Sequence, residues 1–86
     1  MVPILKAGVN LQAVGDEGLL LNINNDQLHQ LNPTAFFIVS QCDGKTGLDD
    51  ILLTITEHFD IDKGTAEQDL KLTLDQLVAA DLMEYA

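Results

Sequence analysis

Gly44-Lys45-Thr46 carries the ending of a phosphate-cradling loop, G-x-x-x-x-G-K-[ST], in which backbone N–H groups close on an anion and the lysine meets its charge. The loop's first glycine is missing, because Val39 stands in its place, and the preceding element reads as a helix where a strand is required. Asp60-Ile61-Asp62-Lys63 opens like a calcium loop. Its sixth position is Thr65 where the sharp turn needs glycine, and its twelfth is Lys71 where a bidentate glutamate is needed. His29 and His58 have no zinc-ligand spacing between them or to Cys42. Ser40, the only serine, lies inside a helical pattern with no base nearby, so it is no nucleophile. Val39-Ser40-Gln41 also lacks the Asp-Ser-Leu that heads a helix in small acidic carrier proteins. Cys42 is unpaired, which excludes an internal disulfide, suits a reducing cytoplasm and reads as a small apolar filler. The expectation is a chain that is not an enzyme by itself, with no cofactor and no metal.

Charge narrows the partners. Fourteen acidic residues face four lysines and no arginine, a formal charge of −10. Nucleic-acid binding draws on cations that replace phosphate counterions, so this chain is repelled by that backbone, and by anionic membranes for the same reason. A partner should be neutral or basic, or bind through backbone and apolar contacts. No apolar run approaches the roughly 20 residues of a membrane span, and MVPILKAG is not a signal peptide. At 86 residues the expectation is one domain, residues 1–86, with a single modest core.

These side chains must be carried on a strand-rich third and a helical two thirds that meet near residue 32. Val9, Leu11 and Ala13 lie two apart, as one face of a strand requires. Gly15-Asp16-Glu17-Gly18 has turn chemistry. Leu19, Leu21 and Ile23 share the next face, with Leu20, Asn22 and Asn24 opposite. Asn24-Asn25-Asp26 tolerates positive φ and predicts a tight hairpin into a third strand, Gln27 to Leu31. Asn32 then suits an N-cap and Pro33 a first helical position, so the strand stops and a helix starts. That helix is expected to reach about Cys42, with Ala35, Ile38, Val39 and Cys42 on one face, Phe36 and Phe37 widening it, and Gly44 as its left-handed stop. A second helix is expected from Thr46, with Asp49 at capping-box spacing and Leu48, Ile51, Leu52, Ile55 and Phe59 buried. After a loop at 60–64, a third is expected from Thr65 to about Ala80, with Ala66, Leu70, Leu74, Leu77 and Val78 inward. At about 100° per residue, Leu72 points about 200° from Leu70, on the side of Gln68, Asp75, Gln76 and Ala79.

Three strands followed by three helices, with Leu31-Asn32-Pro33-Thr34-Ala35 opening the first helix and Cys42-Asp43-Gly44 closing it, resemble the PqqD-like family of peptide-recognition elements. The resemblance continues through Leu48-Asp49-Asp50-Ile51, His58-Phe59-Asp60-Ile61-Asp62, Asp69-Leu70 and Gln76-Leu77, and spans roughly Gly8 to Met83. Where the family often has glycine after the third helix, this chain has Asp81. Members serving pyrroloquinoline quinone synthesis usually lack the Asn-Pro start, which points to another pathway of the same class.

The resemblance implies an α+β winged helix-turn-helix: a three-stranded antiparallel sheet followed by three helices. It implies binding of the leader segment of a ribosomally made precursor peptide as an added strand, beside the third strand and against the third helix. The expected contacts are Gln27, Leu28, His29, Gln30 and Leu31, with Leu72, Gln76 and Ala79 facing the guest and Asp69 and Asp75 meeting its basic residues. Leu31 reads equally well as a core plug under the first helix. The implied partner is a separate modifying enzyme, such as a radical S-adenosylmethionine maturase or a leader protease or cyclase, in the cytoplasm. Other readings are a regulatory or structural homodimer paired through the same edge and, more remotely, a DNA-binding winged helix.

Overall fold

The computed structural model describes residues 2–86. Its elements are β1 (Pro3–Leu5), β2 (Val9–Val14), β3 (Glu17–Asn22), β4 (Gln27–Leu31), α1 (Pro33–Ser40), α2 (Leu48–Phe59), α3 (Lys63–Ala79) and β5 (Met83–Tyr85). The α+β meander and its three helices agree with the sequence pattern. Strands β2, β3 and β4 form one antiparallel sheet in that order.

The β2–β3 loop is only Gly15-Asp16, with Gly15 at φ +65, the glycine-first order of a tight hairpin. Glu17 and Gly18, expected in the turn, instead begin β3. Gly18 is buried there, and a Cβ on it would lie 2.5 Å from Phe36 Cδ1, so α1 rests directly on the strand. A four-residue loop, 23–26, closes the second hairpin with Asp26 at φ +58.

Register divides the sheet into two faces. Val9, Leu11, Ala13, Gly18, Leu20, Asn22, His29 and Leu31 share one, and the helices cover it, leaving Leu20 fully buried. Asn22 is buried on that face, its Oδ1 accepting from the Asn24 N–H at 3.0 Å. Leu19, Leu21 and Leu28 stand on the other face.

Asn32 caps α1 as expected, its Oδ1 accepting from the Ala35 N–H at 2.8 Å. Three helix ends differ from the sequence reading. α1 stops at Ser40, where Gln41 and Cys42 N–H groups bond back to Ile38 and Val39 carbonyls. Gly44 (φ +77) is therefore not its stop: its N–H donates to Pro3 O, and a Cβ would meet Ile4 Cδ1 at 2.7 Å. Thr46 does not cap α2, because Asp43 takes it, accepting from the Lys45 and Thr46 N–H groups and the Thr46 hydroxyl; Gly47 is the N-cap. α3 starts at Lys63 because Asp62 accepts from the Thr65 N–H at 2.7 Å, two residues earlier than expected. Val78, assigned to the core from its spacing, is exposed.

The pairing of β1 with β5 was not legible in the sequence. Pro3 faces Tyr85 and Leu5 faces Met83, and Gly44 and Asp43 join β1 from the side. This ribbon seals the end of one contiguous core, in which Ile38, Ile51, Ile55, Leu82 and Met83 are all but fully buried. Asp81, between α3 and β5, sits at φ +64, a left-handed conformation that favours glycine.

Candidate functional site

Every proposed contact on the sheet lies on β4, a border strand: among the described residues nothing pairs with its far side. Which backbone groups remain free follows from alternation along the strands. The Ile23 N–H donates to Gly8 O at 2.9 Å, toward β2. Backbone groups of successive residues point in opposite directions, so Gly18, Leu20 and Asn22 turn toward β4, where they face Leu31, His29 and Gln27. Leu28 and Gln30 are left with N–H and C=O aimed outward. The open edge therefore presents two donors and two acceptors, spaced two residues apart.

Side chains sort the same strand differently. Leu28 is 60% exposed and stands on the face away from the helices, beside Leu21. Gln27 and Gln30 are exposed. His29 faces the helices; its Nε2 is enclosed, with no hydrogen-bond partner among the described residues. Leu31 is buried, so of its two readings the structure supports the core plug.

On α3, Asp69, Leu72, Gln76 and Ala79 fall along one flank by helical winding. Leu72 is 59% exposed. α1 packs against both β4 and α3, so strand edge and helix flank are joined through it. Asp75 lies at the border of that flank, about 60° around the helix from Leu72. It also lines a cavity with Leu70, Leu74 and Tyr85, where burial first and the Asp75 charge second raise the Tyr85 phenol above its ordinary value.

The sheet has a second border on β2, where alternation leaves Leu11 and Ala13 open and Val9 N–H is already bound to Lys6 O. Sequence reasoning did not find the Tyr85 cavity, because β5 was not foreseen. It also missed the stack of His58 on Phe37, with ring centroids 4.1 Å apart and Phe59 edge-on to both. Three aromatic rings near the ends of two helices were the available signal.

The other chemical candidates have structural duties. Asp43 and Asp62 hold loop and helix N–H groups, which lower both carboxyls below their ordinary value. The Ser40 hydroxyl donates to Phe36 O. Cys42 is buried, its thiol donates to Ile38 O, and burial followed by the Asp43 charge pushes its pKa up to about 12. Among the described residues no cluster of metal-ligating side chains forms, and no helix is long and apolar enough to cross a membrane.

The family model described as coenzyme PQQ synthesis protein D (PqqD) matches residues 17–83. No curated protein matches the sequence. The structure of TbiB1 in complex with the TbiA(beta) leader peptide superposes with a TM-score of 0.87 at 25% identity, covering 96% of this chain and 98% of that one. Lasso peptide synthetase B1 complexed with the leader peptide superposes at 0.86 with 19% identity, covering 98% and 99%, and shares the fold.

Proposed function

Since the chain belongs to the PqqD family, we propose that it binds the leader segment of a ribosomally synthesised precursor peptide and presents it to a separate modifying enzyme in peptide natural-product biosynthesis. The observation that carries this reading is the free edge of β4, where Leu28 and Gln30 offer main-chain groups to an incoming extended segment. The match to TbiB1, whose structure contains a leader peptide, supports it. The helix flank of Asp69, Leu72, Gln76 and Ala79 supplies side-chain contacts, and Gln27 and His29 frame the strand. The chain contributes position, not catalysis: a bound leader keeps the peptide's reactive part at high effective concentration near the enzyme. Its place of work is the cytoplasm, where such peptides are made.

Self-pairing through the same edge is disfavoured, since each copy carries a charge of −10 and the edge side chains of Gln27 and Gln30 are polar. The test is an amide-resonance titration of the labelled chain with precursor peptides encoded beside it. Saturable shifts confined to residues 27–31 and the Leu72 flank are expected. Shifts along β2 alone, or saturable DNA binding at physiological salt, overturn the reading.

A further inference from the structure

The flank of α3 turned away from Leu72 and Gln76 is not a bare surface. With α2 and β5 it borders an open cavity of about 360 Å³. Its floor is apolar, built from Leu52, Leu70, Leu74 and Tyr85. Three carboxylates, Asp49, Glu67 and Asp75, stand around it against one cation, Lys71. By helical winding, Leu74 lies about 160° from both Leu72 and Gln76, Glu67 about 140° and 180° from them, and Lys71 about 100° and 140°. The cavity therefore centres on the side of the helix away from the Leu72 flank, with Asp75 on the border between the two.

We infer that this cavity is the docking site of the modifying enzyme, and that it takes one apolar anchor side chain flanked by Lys or Arg. The inference rests on the leader-binding reading and adds where the second partner sits. Charge complementarity chooses the occupant: the acidic rim and the −10 chain attract a basic segment and repel a second copy. An apolar pocket with a charged border is the form in which one buried anchor supplies affinity and the rim supplies orientation. Because most of the cavity lining lies around α3 from the Leu72 flank, leader and enzyme bind together, which is what presentation requires.

The test uses the full labelled chain, the leader peptide encoded beside it and the purified modifying enzyme from the same gene neighbourhood. Enzyme is added to leader-saturated chain and, separately, to chain without leader. The expected result is broadening at Leu52, Leu70, Leu74 and Tyr85 while residues 27–31 keep their leader-bound positions. Glu67→Lys is expected to weaken enzyme binding roughly tenfold and Lys71→Glu to strengthen it, with leader affinity unchanged in both. Both positions are exposed, and the amide spectrum reports whether each variant remains folded. Broadening on another face, no enzyme binding, or indifference to both charge reversals overturns the inference. Failure of the leader to move residues 27–31 removes the functional reading instead, and the leader-free titration still judges the cavity.

Discussion

Replacing Gln30 by proline removes one N–H from the open border of β4 and leaves the ladder to β3 whole. Leu28 and Gln30 expose one donor and one acceptor each. At about 1 kcal/mol net per hydrogen bond, the four together supply about 4 kcal/mol. Micromolar affinity needs about 8 kcal/mol, so roughly half must come from side chains such as exposed Leu72. Gln30→Pro deletes one donor and leaves a guest carbonyl unpaired, a loss of about 2 kcal/mol or roughly thirtyfold in Kd. Folding is spared, because proline is tolerated on an edge strand where its nitrogen faces outward. His29→Pro strikes the other set: its N–H points to Leu20, so the fold itself loses about 3 kcal/mol or more. The assay is fluorescence anisotropy of a labelled leader peptide, paired with thermal melts. Gln30→Ala, which keeps the N–H, should stay within about twofold of the parent. A Gln30→Pro chain that melts normally and binds within twofold would refute main-chain pairing on this edge.

Other substitutions test the fold that holds the edge. Asn32→Ala removes the α1 cap and should cost about 1 kcal/mol by denaturant melt, with helix content otherwise kept. Gly18→Ala drives a methyl into Phe36 and should cost about 2 kcal/mol, lifting α1 from the sheet; Gly18→Ala combined with Phe36→Leu should recover part of it. Asp81→Ala and Asp81→Gly both delete the ion pair with Lys6, so their difference isolates the backbone: glycine should be the more stable by about 1 kcal/mol. Cys42, with its pKa raised to about 12, should be alkylated at pH 8 on the order of a thousandfold more slowly than in the unfolded chain. Because the folded thiol holds its proton more tightly, its contribution to stability is intact below the unfolded thiol's pKa. It is lost as pH climbs toward 12, a fall that Cys42→Ala should lessen in alkaline melts.

Local chemistry accounts for what the sequence determined. Alternating apolar residues, the asparagine-rich turn and Asn32-Pro33 fix three strands, the strand-to-helix break and three amphipathic helices, since each depends on neighbours within a few residues. The charge of −10 without arginine dismisses nucleic acid before any fold is known. The boundaries that moved did so through competition for a partner. Asp43 took Thr46, and Asp62 capped α3 before Thr65.

Tertiary structure alone decided the rest. The β1–β5 ribbon joins residues about eighty positions apart, and strands of three residues carry no periodic signal of their own. Closing it creates the Tyr85 cavity, with Asp75 on its border. Which backbone groups of β4 stay open is likewise a matter of register: the sequence names Gln27 to Leu31, but only the direction of the Ile23 hydrogen bond leaves Leu28 and Gln30 facing out. Pattern sets what each segment becomes, because propensity and capping act locally. Pairing sets which surface is left free, because it depends on contacts that no stretch of chain can specify by itself.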